Sequence, residues 1–219
     1  MAGETTLFPR GVRYSDLGEF IWLRARDGRS HRSAARISTV DGRVVEVIKG
    51  TEQYLDGGKG RVLVVPSGEA PYLLRDGSRE SKVERLTFAL MDTAFGADSI
   101  CLTESTGPVR CVDYETGNVR WRFDPEPGSH VLALYYSEKA AVYYGTWRHY
   151  ERHLYCRLLR FSPVTGGREV VCELGSPEVA FSAADQLVTS AGDVIDLATG
   201  RTVSKLDFPQ KEYPDSPAE

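Results

Sequence analysis

Two histidines and a glutamate lie close together in Trp147–His153, which reads WRHYERH. His149 and His153 have the i, i+4 spacing of a zinc-binding helix, but their order is not the HExxH motif and no helix is expected here. An exposed loop or a long hairpin without a metal is the favoured interpretation. Tryptophan and tyrosine beside arginine are enriched at protein interfaces. The segment therefore predicts a partner-binding site made of Trp147, Arg148, His149, Tyr150 and Arg152.

A second set of candidate binding residues contains five arginines between positions 24 and 36. We call this set the arginine cluster: Arg24, Arg26, Arg29, His31, Arg32 and Arg36. It could hold a phosphate or an acidic partner surface, or it could be a solvated loop whose arginines pair with Asp27 and Glu19. The partner-binding members that we predict are Arg26, Arg29 and Arg32.

Carboxylates are the third kind of group that could do chemistry. The sequence contains no nucleophile elbow, no Walker loop and no metal-ligand spacing. A glycosidase would need two carboxylates facing each other in a cleft. The candidates are Asp56, Asp92 and Glu178, on or beside strands that would line a central funnel. Turn chemistry also places acidic residues at strand ends, which is the alternative explanation.

Composition limits the classes of partner. The 27 basic and 31 acidic side chains give a net charge of −4, so no nucleic-acid partner is expected. The first ten residues lack a secretory signal pattern, and no run of about 18 apolar residues predicts a membrane span. No cofactor and no metal are expected. These features predict a cytoplasmic, monomeric protein.

The four cysteines show no CxxC pair and no regular spacing. Cys101 and Cys111 would lie on neighbouring strands, where a cross-strand disulfide is geometrically conceivable. Reduced thiols are the favoured state for a cytosolic chain.

The strands that must position these groups are marked by five polar turns that end in glycine. The turns are Asp41-Gly42, Asp76-Gly77, Thr116-Gly117, Thr165-Gly166 and Thr199-Gly200. From 42 to 77, 117, 166 and 200 the intervals are 35, 40, 49 and 34 residues. A period of this length, in a sequence rich in glycine and aromatic residues, predicts an all-β propeller of about five four-stranded blades. The longest interval contains Trp147–His153.

Each period repeats the same order of strands, most clearly in the third. There the pattern predicts strands over 89–95, 98–103, 109–114 and 118–123, with Val119, Trp121 and Phe123 on one face. The first two periods are weaker copies, with a fourth strand of the second period expected over Val83–Leu86. The predicted domain covers residues 11–208. Residues 1–10, within which Thr5–Phe8 could supply a closing strand, precede it, and a flexible tail, residues 209–219, follows it.

One copy of the period carries a specific motif. Cys111-Val-Asp113-Tyr-Glu-Thr116-Gly117-Asn-Val-Arg-Trp121 resembles the tryptophan-docking repeat of quinoprotein-like β-propellers, A-x-D-x-x-T-G-x-x-x-W. The fifth period gives a partial copy with Ser204 in the place of tryptophan, and the fourth keeps only Thr165-Gly166. The resemblance implies structural roles: Asp accepts turn amides, Gly is left-handed and Trp inserts between blades. The vicinal cysteines of the quinone-dependent members are missing, so quinone binding is not expected.

Two functions are compatible with these observations. The first is a non-enzymatic, bacterial-type propeller that recognises a protein partner through one rim, and an acidic surface on that partner would suit the arginine cluster. An adaptor and an immunity-type inhibitor of a toxin both fit this description. The alternative is a small-molecule or glycan-processing enzyme with its carboxylates in the funnel.

Overall fold

The structure is a computed structural model of the 219-residue chain. It describes residues 12–14, 20–27, 31–49, 51–57, 61–66, 68–75, 78–84, 86, 90–105, 108–149, 155–175, 179–182 and 184–207. The segments 1–10 and 209–219, with the proposed closing strand Thr5–Phe8, lie outside these residues.

Twenty strands form five four-stranded sheets among the described residues. The first sheet contains β1 (Val12–Tyr14), β2 (Phe20–Asp27), β3 (His31–Ser38) and β4 (Val44–Lys49). The second contains β5 (Thr51–Asp56), β6 (Arg61–Pro66), β7 (Tyr72–Arg75) and β8 (Ser78–Lys82). The third contains β9 (Leu90–Phe95), β10 (Ser99–Glu104), β11 (Val109–Asp113) and β12 (Val119–Phe123).

The fourth sheet contains β13 (Ser129–Ser137), β14 (Val142–His149), β15 (Tyr155–Phe161) and β16 (Arg168–Leu174). The fifth contains β17 (Val179–Ser182), β18 (Gln186–Thr189), β19 (Asp193–Asp196) and β20 (Thr202–Lys205). Each strand pairs antiparallel with the next one in its sheet. No helix occurs in the described part of the chain, so the prediction of an all-β protein is confirmed.

The second sheet differs from the sequence expectation. Its first strand, Thr51–Asp56, was not predicted, and its fourth strand is Ser78–Lys82 instead of Val83–Leu86. The apolar residue Val83 caused the error: it is buried beyond the end of β8, where its amide donates to the carbonyl of Pro71. The apolar side chain of Val83 therefore marks a core position that is not part of a strand.

The hydrophobic cores lie between successive sheets. Alternate residues of β10 face opposite ways, so that Ile100 and Leu102 pack toward the second sheet and Cys101 packs toward the fourth. A third core joins the fourth and fifth sheets, around Leu158 and Leu197. The third and fourth sheets are therefore covered on both faces, which is the layering of propeller-like folds.

The glycine turns connect the third strand of a sheet to its fourth. Four of them share one geometry, with the glycine amide donating to the carbonyl four residues earlier at 2.8–3.0 Å and φ between 68° and 74°. These glycines are Gly42, Gly117, Gly166 and Gly200. The fifth turn, Asp76-Gly77, falls between β7 and β8, outside the described residues.

The outermost strand of every sheet carries a one-residue β-bulge soon after its glycine turn. In the third sheet Cys111 pairs with Trp121 while Val112 pairs with Val119, which leaves Arg120 as the extra residue. The bulge residues are Val45, Glu80, Arg120, Val171 and Val203. Four of them stand three positions after the glycine, and Val171 stands five positions after it. Bulges bend an edge strand and reorient the side chain that follows.

Candidate functional site

The turns of the sheets lie on two opposite sides. Because each sheet is an antiparallel meander, its second-to-third-strand connection lies at the opposite end from its glycine turn. We call the side with the second-to-third-strand connections the hairpin rim and the other side the glycine rim.

Two hairpins are longer than the others at the hairpin rim. In the first sheet β2 and β3 have eight residues each, and in the fourth sheet β14 and β15 have eight and seven. The matching strands of the other three sheets have four to six residues. These are the two sheets whose hairpins carry the sequence-predicted binding residues. The structure therefore puts both candidate segments at the longest hairpins of one rim.

Of the two alternatives for this segment, an exposed loop or a long hairpin, the structure shows a hairpin at Trp147. Strand β14 continues through His149, and Trp147 is paired with Val131 on one side and Arg157 on the other. Its side chain is only 8% exposed and belongs to the core between the third and fourth sheets. The alternation Tyr143, Gly145, Trp147 explains this placement, because every second residue of the strand faces that core.

Trp147 supports a polar surface above it. The guanidinium of Arg157 lies 5.5 Å from the centre of the Trp147 ring, and Arg157 Nε donates to Glu173 Oε1 at 2.9 Å. The His149 ring lies 5.9 Å from the Trp147 ring on the side nearer the rim. Trp147 is therefore a mostly buried platform on which Arg157 and His149 lie.

Arg148 faces the other side of the fourth-sheet hairpin. It is half-buried and pairs in register with His130 and Cys156. Burial raises the pKa of the Cys156 thiol, and the charge of Arg148 opposes that rise. The remaining predicted residues of this segment, Tyr150 and Arg152, lie outside the described residues.

The arginine cluster lies on the first-sheet hairpin and not in a long loop. Arg26 in β2 is directly opposite Arg32 in β3, and Asp27 is opposite His31. Like charges at directly opposed positions destabilise a strand pair unless an anion lies between or beside them. Arg29 lies outside the described residues. The register thus concentrates positive charge at the end of this hairpin.

A buried ion pair at the hairpin rim was missed from the sequence. Arg110 in β11 donates to Glu104 in β10, with side chains 2% and 0% exposed, and the exposed Glu84 lies 3.4 Å from Arg110. The sequence signal was available: Glu104 is the last residue of β10, Arg110 is the second residue of β11, and a short turn joins the two strands. A buried pair of this kind fixes the end of the third-sheet hairpin.

Of the three carboxylates proposed for the funnel, the structure describes the side chain of Asp92 alone. Asp92 accepts the backbone N–H of Leu134 at 2.8 Å and so links the innermost strands of the third and fourth sheets. Asp56 belongs to β5, but its side chain and all of Glu178 lie outside the described residues. In the described part of the chain, no three His, Cys, Asp or Glu side chains are grouped to hold a metal ion.

The glycine rim is built from structural interactions. Asp113 Oδ1 accepts Thr116 N at 2.8 Å, and Arg120 Nε donates to Asp113 Oδ2 at 3.0 Å. These bonds lower the pKa of Asp113 to about 2, with the Arg120 hydrogen bond the largest cause. Trp121 then packs on Phe161 of the fourth sheet, with ring centres 5.7 Å apart, and donates to Pro163 O at 3.0 Å. Trp121 thus joins two sheets, as its place after the turn predicts.

These sheets, cores and rims define a β-propeller-like protein, the class that the tryptophan-docking motif implies. Comparison with solved structures gives the same class. The chain is similar to the computationally designed protein Ika8 (17% identity, TM-score 0.63), to BamB from Moraxella catarrhalis (16%, 0.55) and to the WD40 domain of Neurospora crassa Pan2 (14%, 0.64). At these identities the likeness shows the fold alone.

The coverage of these matches is unequal. They include 91%, 90% and 92% of this chain but 61%, 63% and 66% of the other chains. The chain therefore spans less than two thirds of the length of these similar structures. No protein-family model matches the sequence, and no curated protein matches it. No helix among the described residues is long and apolar enough to cross a membrane.

Proposed function

We propose that this protein is a non-enzymatic scaffold of five propeller blades that binds a protein partner through the hairpin rim. One observation carries the proposal: the two hairpins with the longest strands at that rim are the two that contain the arginine-rich segments predicted to bind a partner. Propeller-like folds host many functions, so the site and not the fold supports this choice.

The partner surface that suits this rim is acidic. Arg26 and Arg32 are opposed in register, and a carboxylate-rich surface would relieve their repulsion. On the other hairpin Arg157 and His149 lie beside the Trp147 platform, and Arg148 faces the opposite side of the same strands. An adaptor and an immunity-type inhibitor that covers a toxin's active site would both use such a rim. Four free cysteines, with Cys101 opposite Cys111, favour a reducing compartment and hence the cytoplasm.

Capture of the partner from the native host tests the proposal. We expect Arg26→Glu/Arg32→Glu and Arg148→Ala/Tyr150→Ala to weaken capture at least about tenfold, equal to about 1.4 kcal/mol. Trp147 is left intact, since its truncation would remove core packing. Arg201→Glu, a charge reversal at an exposed site near the Gly200 turn, is the matched control and keeps wild-type capture.

Ionic strength gives a second readout. Capture by the wild type falls as salt rises, because exposed charge pairs are screened. Equal capture by both rim variants and the control would overturn the proposal. Capture that is insensitive to salt would overturn the assignment of an acidic partner.

A further inference from the structure

The fourth sheet contains a buried hydroxyl that makes no hydrogen bond. Thr146 in β14 is 3% exposed, and its Oγ1 atom has no hydrogen-bond partner in the described part of the chain. Burying a hydroxyl without a partner costs the folded state free energy, so such a group calls for an explanation. A water molecule or a polar group of a ligand is what a position of this kind accepts.

The Thr146 side chain faces the fifth sheet. It lies between Tyr144, which belongs to the core shared with the fifth sheet, and Arg148 on the same face of β14. Directly paired residues share a face, so His130 and Cys156, which flank Arg148 in register, face the same way. Because β14 runs toward the hairpin rim, Arg148 is nearer that rim than Thr146. We call this end of the contact between the fourth and fifth sheets the junction.

The fifth sheet contributes a second hydroxyl and an ion pair to the junction. Thr189 ends β18 on the face that carries Leu187, a member of the shared core, and is 2% exposed. Its Oγ1 accepts the backbone N–H of Asp193 at 3.1 Å, and Asp193 Oδ1 lies 3.7 Å from Lys205 Nζ. The charges of that pair cancel, whereas Arg148 adds one positive charge. The described groups of the junction named here therefore favour an anion.

We propose that the junction binds a carboxylate group that enters from the hairpin rim. The guanidinium of Arg148 pairs with the carboxylate, and the Thr146 hydroxyl donates to one of its oxygens. A planar carboxylate matches the fork of an arginine, and charge-assisted hydrogen bonds of this kind are short and strong. Arg148 is half-buried and lies on the rim side of Thr146, so rotation of its long side chain admits the group.

An acidic side chain of the protein partner is the ligand that suits this position. The junction lies at the rim assigned to partner binding, so this inference rests on the proposed function and identifies one anchor within it. General attraction between charged surfaces depends little on any single buried hydroxyl. Dependence of binding on Thr146 would therefore distinguish a specific carboxylate site from attraction by the rim charges alone.

Acetate tests the junction without the partner. Sodium acetate is added at constant ionic strength, with sodium chloride as the balancing salt, and amide and threonine methyl chemical shifts are followed. We expect saturable shifts at Thr146 and Arg148, and an acetate affinity at least about tenfold lower in Thr146→Val, equal to about 1.4 kcal/mol. Thr146→Ser keeps the hydroxyl and the binding. Shifts that do not saturate, or equal affinities of wild type and Thr146→Val, would mean that the hydroxyl is met by water only, and the inference would be wrong.

Urea unfolding shows whether a loss of binding reflects a loss of structure. Thr146→Val keeps the shape of the side chain and removes only a hydroxyl without a partner, so we expect the variant to unfold at the same urea concentration as the wild type or higher. A structural role for the hydroxyl would instead lower that concentration, which would contradict the assignment of Thr146 to a ligand.

Partner capture separates this inference from the proposed function. We expect Thr146→Val to weaken capture about tenfold. The matched control is Thr202→Val, the same substitution at an exposed position near the glycine rim, which keeps wild-type capture. If the rim charge variants weaken capture and Thr146→Val does not, the rim binds the partner and this inference is wrong. If no rim variant weakens capture, the proposed function fails, while saturable acetate binding through Thr146 would still support the carboxylate site.

Discussion

Replacing Gly166 by alanine tests the docking of Trp121 against the neighbouring sheet. The new Cβ would stand 2.7 Å from Trp121 Cγ, closer than real Cβ contacts, so the indole or the turn must move. Overpacking of this kind costs about 1–3 kcal/mol. The left-handed φ of 69° adds about 1 kcal/mol for a residue with a Cβ. We therefore expect Gly166→Ala to lower the free energy of unfolding by about 2–4 kcal/mol.

Gly42→Ala is the matched control. Gly42 has the same φ and occupies the same turn position, but no atom lies within 4 Å of the added Cβ. Only the backbone strain remains, so we expect a loss of about 1 kcal/mol. The difference between the two substitutions isolates the contact with Trp121.

A double-mutant cycle gives an independent estimate of the same contact. Trp121→Ala removes a side chain that is 8% exposed, which costs about 3–5 kcal/mol. In that background Gly166→Ala no longer meets the indole and should cost only about 1 kcal/mol. The double variant is then more stable than the sum of the single losses predicts, by about 1–3 kcal/mol.

Urea unfolding followed by far-ultraviolet circular dichroism is the suitable assay, since Trp121→Ala removes a fluorophore. The wild type, the two single variants and the double variant are compared at a common m-value, which is the slope of the unfolding free energy against urea concentration. A variant with a different m-value would show a departure from two-state unfolding or a change in the unfolded state. The reasoning is refuted if Gly166→Ala costs no more than Gly42→Ala, or if the single losses simply add.

Three further predictions concern buried and paired groups. The pKa of Asp113 is lowered in the folded state from 3.8 to about 2. The ionised Asp113 therefore stabilises the folded state fully above about pH 4, and this contribution is lost as the pH falls to about 2. In Asp113→Asn, the unfolding free energy measured against pH should lack this acid-dependent loss. Burial raises the pKa of the Cys111 thiol to about 11. A thiol reagent with a coloured leaving group should therefore modify Cys111 at about pH 8 only after urea unfolding, and the absorbance of the released group measures the reaction. Glu104→Gln should destabilise by about 3–5 kcal/mol by leaving Arg110 buried beside a neutral group, whereas Glu104→Leu/Arg110→Met should come within about 1 kcal/mol of the wild type in the same urea assay.

The strands of the third sheet follow closely from the sequence, because apolar and polar residues alternate along Val119–Phe123 and a glycine turn separates the two outer strands. Prediction failed where that pattern was absent. Strand β5 has apolar residues at Tyr54 and Leu55 that do not alternate, and β8 reads SRESK, with no apolar residue at all. An outer strand of such polarity is fixed by its hairpin pairing with β7, which composition does not show.

The candidate site was predicted only in part, for a related reason. Its location on the longest hairpins follows from the interval of 49 residues and from the arginine cluster. The burial of Trp147 does not follow from them. It depends on β14 continuing through His149, where pairing with β15 turns the indole toward Val131. Composition indicated an interface, but register decided which of the aromatic and basic side chains face solvent.

The position of the β-bulge explains why the fourth sheet does not match the spacing of the tryptophan-docking motif. The motif counts four residues from glycine to tryptophan, which is the bulge residue plus one, and that count fails in the fourth sheet. There the bulge comes two residues later, and the residues against Gly200 are Val171 and Cys172 instead of Val170: an added Cβ would stand 2.9 Å from Val171 O and 3.0 Å from Cys172 Cβ. What the repeat conserves along this chain is therefore a place relative to the bulge and not a distance from the glycine. A search for the motif by spacing alone therefore misses the contact of Val171 and Cys172 with the Gly200 turn, which lies beside the core shared by the fourth and fifth sheets.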